Sequence, residues 1–167
     1  MKILKYGAPS LRETNRPVEI FDDGLKKLAG DMFETLYAAP GVGLAAPQVG
    51  VNIRLITIDL STGKEPDGKI ILCNPRIIAS EGKQAGDEGC LSLPDFTESV
   101  ARPMKVAVEA QNINGESFRI EGEELLARAI CHEMDHLDGV LFLDHLSPLK
   151  RAILRGKIKK MVKTGKW

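Results

Sequence analysis

The chain is short of cysteine: it has three, Cys73, Cys90 and Cys131. An odd number without framework spacing excludes a small secreted domain stapled by disulfides. Long apolar runs are missing as well. No stretch approaches the roughly 20 residues that a membrane span requires. Met1 to Pro9 lacks the apolar run of a secretory signal. Internal repeats, linkers and low-complexity segments are absent. Net charge is absent too, since 23 basic residues balance 23 acidic ones. What remains is an ordinary globular composition, 43% hydrophobic and 28% charged. It predicts one compact domain over residues 1–167, in a reducing, cytoplasmic setting.

The balance of charge hides an uneven distribution. From Ser147 to Trp167 there are eight basic residues and no acid, leaving 15 basic residues against 23 acidic ones elsewhere. A basic tail on an acidic body predicts contact with something anionic.

Periodicity predicts an α+β fold. Residues 1–20, with Pro9 and Pro17, read as an irregular arm. Leu25, Leu28, Ala29, Met32, Phe33 and Leu36 form one apolar helical face, with Asp22 or Asp23 as cap and Pro40-Gly41 as stop. Ile53 to Leu60 reads as a strand. Ile70 to Cys73 and Arg76 to Ala79 read as two short strands broken at Asn74-Pro75. Val106, Val108 and Ala110 alternate with polar residues. Asn114-Gly115 then marks a hairpin turn before Phe118 and Ile120. A second helix is predicted from about Glu123 to Leu137, with Leu125, Leu126, Ala129, Ile130 and Leu137 on its apolar side and Gly139 just beyond its end. Ser147-Pro148 predicts the start of a third helix, residues 148–163. Its narrow apolar stripe reads as Leu149, Ala152, Ile153, Met161 and Val162. The architecture expected is a set of short antiparallel strands packed around the second helix.

That second helix carries His132-Glu133-Met134-Asp135-His136, an H-E-x-x-H sequence. Four residues are roughly 400° of helical rotation, so the two imidazoles stand one turn apart on one face. Both rings can then reach one ion, with Glu133 on the rim as a proton-transfer group rather than a ligand. The same five residues also fit two surface histidines paired with Glu133, Asp135 or Asp138. Two imidazoles leave an ion under-ligated. The chain after His145 is almost all basic and offers no downstream ligand, so the third should come from upstream. Cys90, in Glu88-Gly89-Cys90-Leu91-Ser92-Leu93-Pro94, is the best candidate, because Gly89 allows close backbone approach. Taken alone, Cys90 reads first as a buried, inert cysteine. Cys131 points about 100° away from His132 on the helix and, like Cys73, is assigned to the core.

Three segments taken in order, Gly41-Val42-Gly43-Leu44-Ala45-Ala46-Pro47-Gln48, Glu88-Gly89-Cys90-Leu91-Ser92 and His132 to His136, resemble the three motifs of the peptide deformylases. Gly7 to Arg12 and Leu141 to Asp144 extend the resemblance over nearly the whole chain. It is similar to the bacterial type with a C-terminal helix. The resemblance implies hydrolytic removal of the formyl group from N-formylmethionine on newly made polypeptides, releasing formate. It implies Cys90, His132 and His136 as ligands of one divalent ion, Fe²⁺ in the cell, with Zn²⁺ or Ni²⁺ as alternatives. Two positions depart from the pattern. Arg128 stands where several relatives have an apolar residue near the methionine pocket, and Thr97 stands where some have arginine.

With those ligands, three protein donors leave a fourth position open. A thiolate donates more charge than a third imidazole, so Glu133 has more to do as base. Its expected task is to take the proton of the attacking water and deliver it to the departing amine. The resemblance also assigns the Gln48 amide to the oxyanion, beside the Leu91 backbone N–H. Gly41, Gly43 and Gly89 remove side chains beside the site, so that a peptide can lie along Val42, Gly43 and Leu44 as an added strand. Crowding by Leu44 and Leu91 would reject an acetyl group. Glu88 and Arg102 are expected to pair behind the Cys90 strand. The partners expected are nascent formylated peptides and, through the basic helix, the ribosome near its exit site. Neither a membrane nor DNA is expected. An internal-bond peptidase with the same H-E-x-x-H machinery is the competing enzyme, separated by whether formyl-Met-Ala-Ser yields formate or new internal amines. A non-catalytic binder of peptide N-termini with a structural ion is the other alternative, and it has no use for Glu133.

Overall fold

A computed structural model describes all 167 residues, Met1 to Trp167. Ten main elements follow one another: α1 (Asp23–Ala38), β1 (Gly43–Ala45), β2 (Leu55–Ile58), β3 (Ile70–Glu81), β4 (Gln84–Cys90), β5 (Leu93–Arg102), β6 (Lys105–Gln111), β7 (Ser117–Glu123), α2 (Glu124–Leu137) and α3 (Pro148–Lys163). β1, β2, β3, β6 and β7 form a five-stranded antiparallel sheet in that order, and β4 and β5 form a separate two-stranded ribbon. The fold is α+β. No helix is long and apolar enough to cross a membrane.

Strand alternation distributes the core to both faces of the larger sheet. Ile56, Ile58, Leu72 and Val108 pack with Ile130 and Leu137 of α2. Leu44, Leu55 and Cys73 pack with Met32, Phe33 and Leu36 of α1. β2 is therefore buried along its whole length, as a strand covered on both faces must be. A third cluster joins Leu93 and Val100 of β5 to Phe142, Leu143 and two residues of α3, Leu154 and Ile158.

Local chemistry sets the element ends. The Asp22 carboxylate caps α1 by accepting from the Leu25 N–H at 2.9 Å, and Ser147 Oγ accepts from Lys150 N–H at the start of α3. Gly139, at φ +69°, turns the chain out of α2 with its Cα against the Arg12 backbone.

Three expectations need correction. β3 is one strand and does not break at Asn74-Pro75. The extra residues are absorbed as a bulge between Cys73 and Arg76, with Asn74 at φ +52°. Asparagine tolerates that conformation, and its side-chain amide is tied to both backbone groups of Val18. The strand at 53–60 is shorter, Leu55–Ile58, and begins after an isolated parallel bridge between Ile53 and Arg16. The buried face of α3 is Leu154 and Ile158, whereas Leu149, Ile153 and Val162 are exposed. The helix rests only on the third cluster, so a two-residue stripe suffices.

Candidate metal centre

The site is built where the ribbon meets α2. β4 ends at Cys90, directly after a register shift between Gly89 and Cys90. α2 presents His132 and His136 on the side away from Ala127 and Ile130. The Cys90 sulfur and one ring nitrogen from each histidine all lie within 4.8 Å of one another. Cys90 Sγ is 3.3 Å from His136 Nε2. The two rings meet nearly edge to face, with centroids 5.1 Å apart.

Each ring is oriented by its surroundings. The Nδ1 of His132 lies 3.0 Å from Glu88 Oε2, which aims its Nε2 at the sulfur. A carboxylate behind a ligating imidazole fixes its tautomer and raises its basicity. Burial disfavours a proton on His132, but hydrogen bonds with Cys90 and Glu88 outweigh it and raise its pKa well above the usual histidine range. Burial, reinforced by repulsion from His132, drives His136 well below that range, so its ring is neutral. A neutral imidazole, a thiol and a second imidazole backed by carboxylate form a donor set that fits one divalent ion.

Glu133 stands beside these donors, buried, with Oε2 unpartnered. Burial pushes its carboxyl up to about 7, against the pull of His132. A cation at the three donors would draw it back toward the ionised form. β1 approaches so closely that a Cβ on Gly43 would sit 2.5 Å from Glu133 Oε1. Only glycine fits at that position.

Gln48, also buried, is held at both ends. Its Oε1 accepts from the Ala45 N–H at 2.8 Å, while its Nε2 donates to Ser92 Oγ at 3.2 Å and faces Cys90 Sγ at 3.7 Å. The amide N–H groups are thereby aimed at the donor cluster. In front lies a cleft of about 550 Å³ whose walls include Val42, Gly43, Gly89 and Leu91. Leu44 is fully buried among the α1 contacts, so only its backbone faces the edge of the sheet.

Glu88 sits at the centre of a buried ion network. Arg102 donates to both of its oxygens, at 2.8 and 3.0 Å. Arg102 also bonds Asp135 at 2.8 Å, and Asp135 bonds His145 at 2.6 Å. Burial raises the Glu88 carboxyl, but His132 and Arg102 prevail and hold it at about 2. Sequence reasoning missed the second cation. Arg128 donates to Glu88 Oε1 at 2.9 Å and to the carbonyls of Gly86 and Val100. The one available signal was an arginine one turn before His132, on a face that faces inward.

The sequence profile described as polypeptide deformylase matches residues 1–152. A peptide deformylase of Acidobacterium capsulatum is 53% identical over 165 residues, which are 99% of this chain and 97% of that protein. One from Acinetobacter baumannii is 49% identical, covering 98% of this chain and 92% of that protein. The crystal structure of a Legionella pneumophila peptide deformylase superposes with a TM-score of 0.91 at 46% identity, covering 98% of this chain and 96% of that one.

Proposed function

The chain belongs to the peptide deformylase family, and from that membership we propose specific roles for Cys90, His132, His136, Glu133, Gln48 and Leu91 within one catalytic domain spanning 1–167. The protein is a metal-dependent hydrolase that removes the N-formyl group from newly made peptides beginning with formylmethionine. The observation that carries the residue assignment is the convergence of one sulfur and two imidazoles within 4.8 Å, with a buried carboxyl beside them.

Cys90, His132 and His136 hold the ion. When bound, a divalent cation supplies Lewis acidity to the formyl oxygen and to the attacking water. Glu133 takes a proton from that water as the oxygen adds to the formyl carbon. It returns the proton to the amine nitrogen as the C–N bond breaks, leaving formate and a free N-terminus. Its fixed place under Gly43 keeps it within reach of both atoms. Gln48 Nε2 and the Leu91 N–H donate to the developing oxyanion, where each such donor is typically worth about 3 kcal/mol. β1 is an edge strand of its sheet, so the substrate backbone can pair along Val42, Gly43 and Leu44. Gly89 keeps the opposite wall low.

We assign Fe²⁺ as the cellular ion, with Zn²⁺ or Ni²⁺ as functional replacements. The sulfur donor supports a transition metal over Mg²⁺ or Ca²⁺. We further propose that the protein works in the cytoplasm and that α3 docks on ribosomal RNA, which its row of exposed lysines supports. The decisive experiment combines metal analysis of anaerobically purified protein with formate release from formyl-Met-Ala-Ser. Stoichiometric iron and formate are expected. New internal amines without formate would overturn the reading.

A further inference from the structure

Trp167 is the only tryptophan of the chain, and it stands behind Phe96, a residue of the cleft wall. Its indole Nε1 donates to the Tyr6 carbonyl at 3.0 Å. Its ring meets Phe96 at 6.1 Å between centroids, and Lys5 Nζ stands 5.6 Å from its ring centroid. Tyr6 in turn donates its N–H to the Ser92 carbonyl at 2.8 Å, next to the Cys90 turn. The end of the chain is thus fastened to the N-terminal arm and to the tip of the β4–β5 ribbon.

Phe96 is the one aromatic carbocycle on the cleft wall. It also lines a second groove, between the ribbon tip and α3, whose other wall includes Leu154 and Lys157. The formyl carbon must sit at the donor cluster. Leu125, Arg128 and Ala129 line the α2 wall of the cleft, available to the first side chain. Phe96 comes from β5, outside that wall, and so is free to meet residues that follow the first.

We propose that Phe96 is a specificity-determining residue for the part of the peptide beyond its second residue, and that Trp167 is the positioning residue that holds its ring at the cleft wall. The inference rests on the deformylase reading and adds a subsite to it. An aromatic contact of this kind corresponds to a change of about fivefold in affinity. Trp167 is the one aromatic ring paired with Phe96, and its loss leaves the Phe96 ring held only by the side chains of the third cluster.

The test compares formyl-Met-Ala with formyl-Met-Ala-Ser on metal-loaded full-length protein. In Trp167→Ala, the KM of the longer peptide relative to the shorter is expected to rise about fivefold, with kcat changing by less than about twofold. Trp167→Phe, which keeps a ring against Phe96, is expected to restore most of the difference. Trp167 fluorescence gives a readout free of turnover. Adding the product Met-Ala-Ser should change the emission of the wild-type protein, and Phe96→Ala should remove that response. A parallel change for both peptides, or none for either, would overturn the proposal, as would an unaltered response in Phe96→Ala. Absence of formate from the wild-type protein with both peptides would overturn the deformylase reading itself and this subsite with it.

Discussion

Gly43 and Glu133 are packed so closely that position 43 has no room for a side chain beside this glutamate: a Cβ there would meet Oε1 at 2.5 Å, Cγ at 2.9 Å and Cδ at 3.0 Å of the Glu133 side chain. The collision involves the stem of the side chain as well as its end, so a small rotation does not relieve it. Glu133 sits on a packed helix and β1 is hydrogen-bonded to β2, which leaves the carboxylate to move. Gly43→Ala should therefore lower kcat by about 100-fold, the scale of an ångström-sized misplacement of a reacting group. Metal content should stay at the wild-type level, because neither histidine nor Cys90 is touched. Wild-type kcat in this variant would show that Glu133 needs no fixed position.

Arg102 and Glu88 form an ion pair almost wholly removed from solvent, with side-chain exposures of 5% and 3%. Removing one partner of such a pair strands the other charge, which typically costs about 3–5 kcal/mol. Here Arg128 stays on Glu88 Oε1, so the loss for Arg102→Ala should fall at the low end. Glu88 would also lose its grip on the His132 ring, and metal affinity should fall by about 10- to 100-fold. Chelator competition measures the second effect and urea unfolding the first. Unchanged metal retention in Arg102→Ala would separate Glu88 from the site.

The parts of this site that were legible in the sequence are those governed by local geometry. A four-residue spacing on a helix places two imidazoles on one face whatever surrounds them, and a glycine beside Cys90 marks close backbone approach. The ribbon of β4 and β5 was illegible because its alternation is carried by Glu88 and Gly86 on one strand and Phe96, Glu98 and Val100 on the other, with Glu88 satisfied by the distant Arg102 and Arg128 and Glu98 by Lys150. Arg128 was opaque for the same reason. Its inward position is tolerable only because Glu88 and two carbonyls, 28 to 42 residues away, receive its protons. The α3 stripe was misread because Leu149, Ile153 and Val162 are the more apolar-looking set, while the face that binds is decided by where Phe142 and Leu143 lie.

Tyr37 donates to Asp59 Oδ2 at 2.7 Å, and Asp59 also accepts from the Ser61 and Gly63 backbones. Burial raises the Asp59 carboxyl, but its hydrogen bonds from Ser61, Tyr37 and Gly63 prevail and hold it at about 2, below the usual 3.8. A depressed carboxyl contributes stability above its unfolded value, and loses it as pH falls through the folded one. Burial, then the hydrogen bond to Asp59, pushes Tyr37 from 10.0 up to about 12. A raised phenol contributes fully below its unfolded value and loses that contribution as pH rises through the folded one. Urea midpoints should accordingly fall between about pH 4 and 2 and again between about pH 10 and 12. Asp59→Asn should flatten the acid slope and lower stability near neutral pH by about 1–3 kcal/mol. Tyr37→Phe should flatten only the alkaline one. An alkaline slope that survives in Tyr37→Phe would assign it to another group.

The basic face of α3 is separable from its structural face, and this decides how docking on the ribosome should be tested. Leu154 and Ile158 are buried with Phe142, and Trp167 packs on the same cluster. Truncation of the helix would expose that cluster and confuse lost docking with lost structure. Lys159 and Lys163 are exposed and form no ion pair in this structure. Replacing both by glutamate should leave formate release from a free peptide at the wild-type rate. Each phosphate contact removed should reduce the slope of log affinity against log salt by about 0.7–0.9. Co-sedimentation with ribosomes at low salt should therefore fall steeply in the double variant and flatten in its salt dependence. Wild-type co-sedimentation with an unaltered salt slope would return α3 to the role of a solvated helix that closes the third cluster.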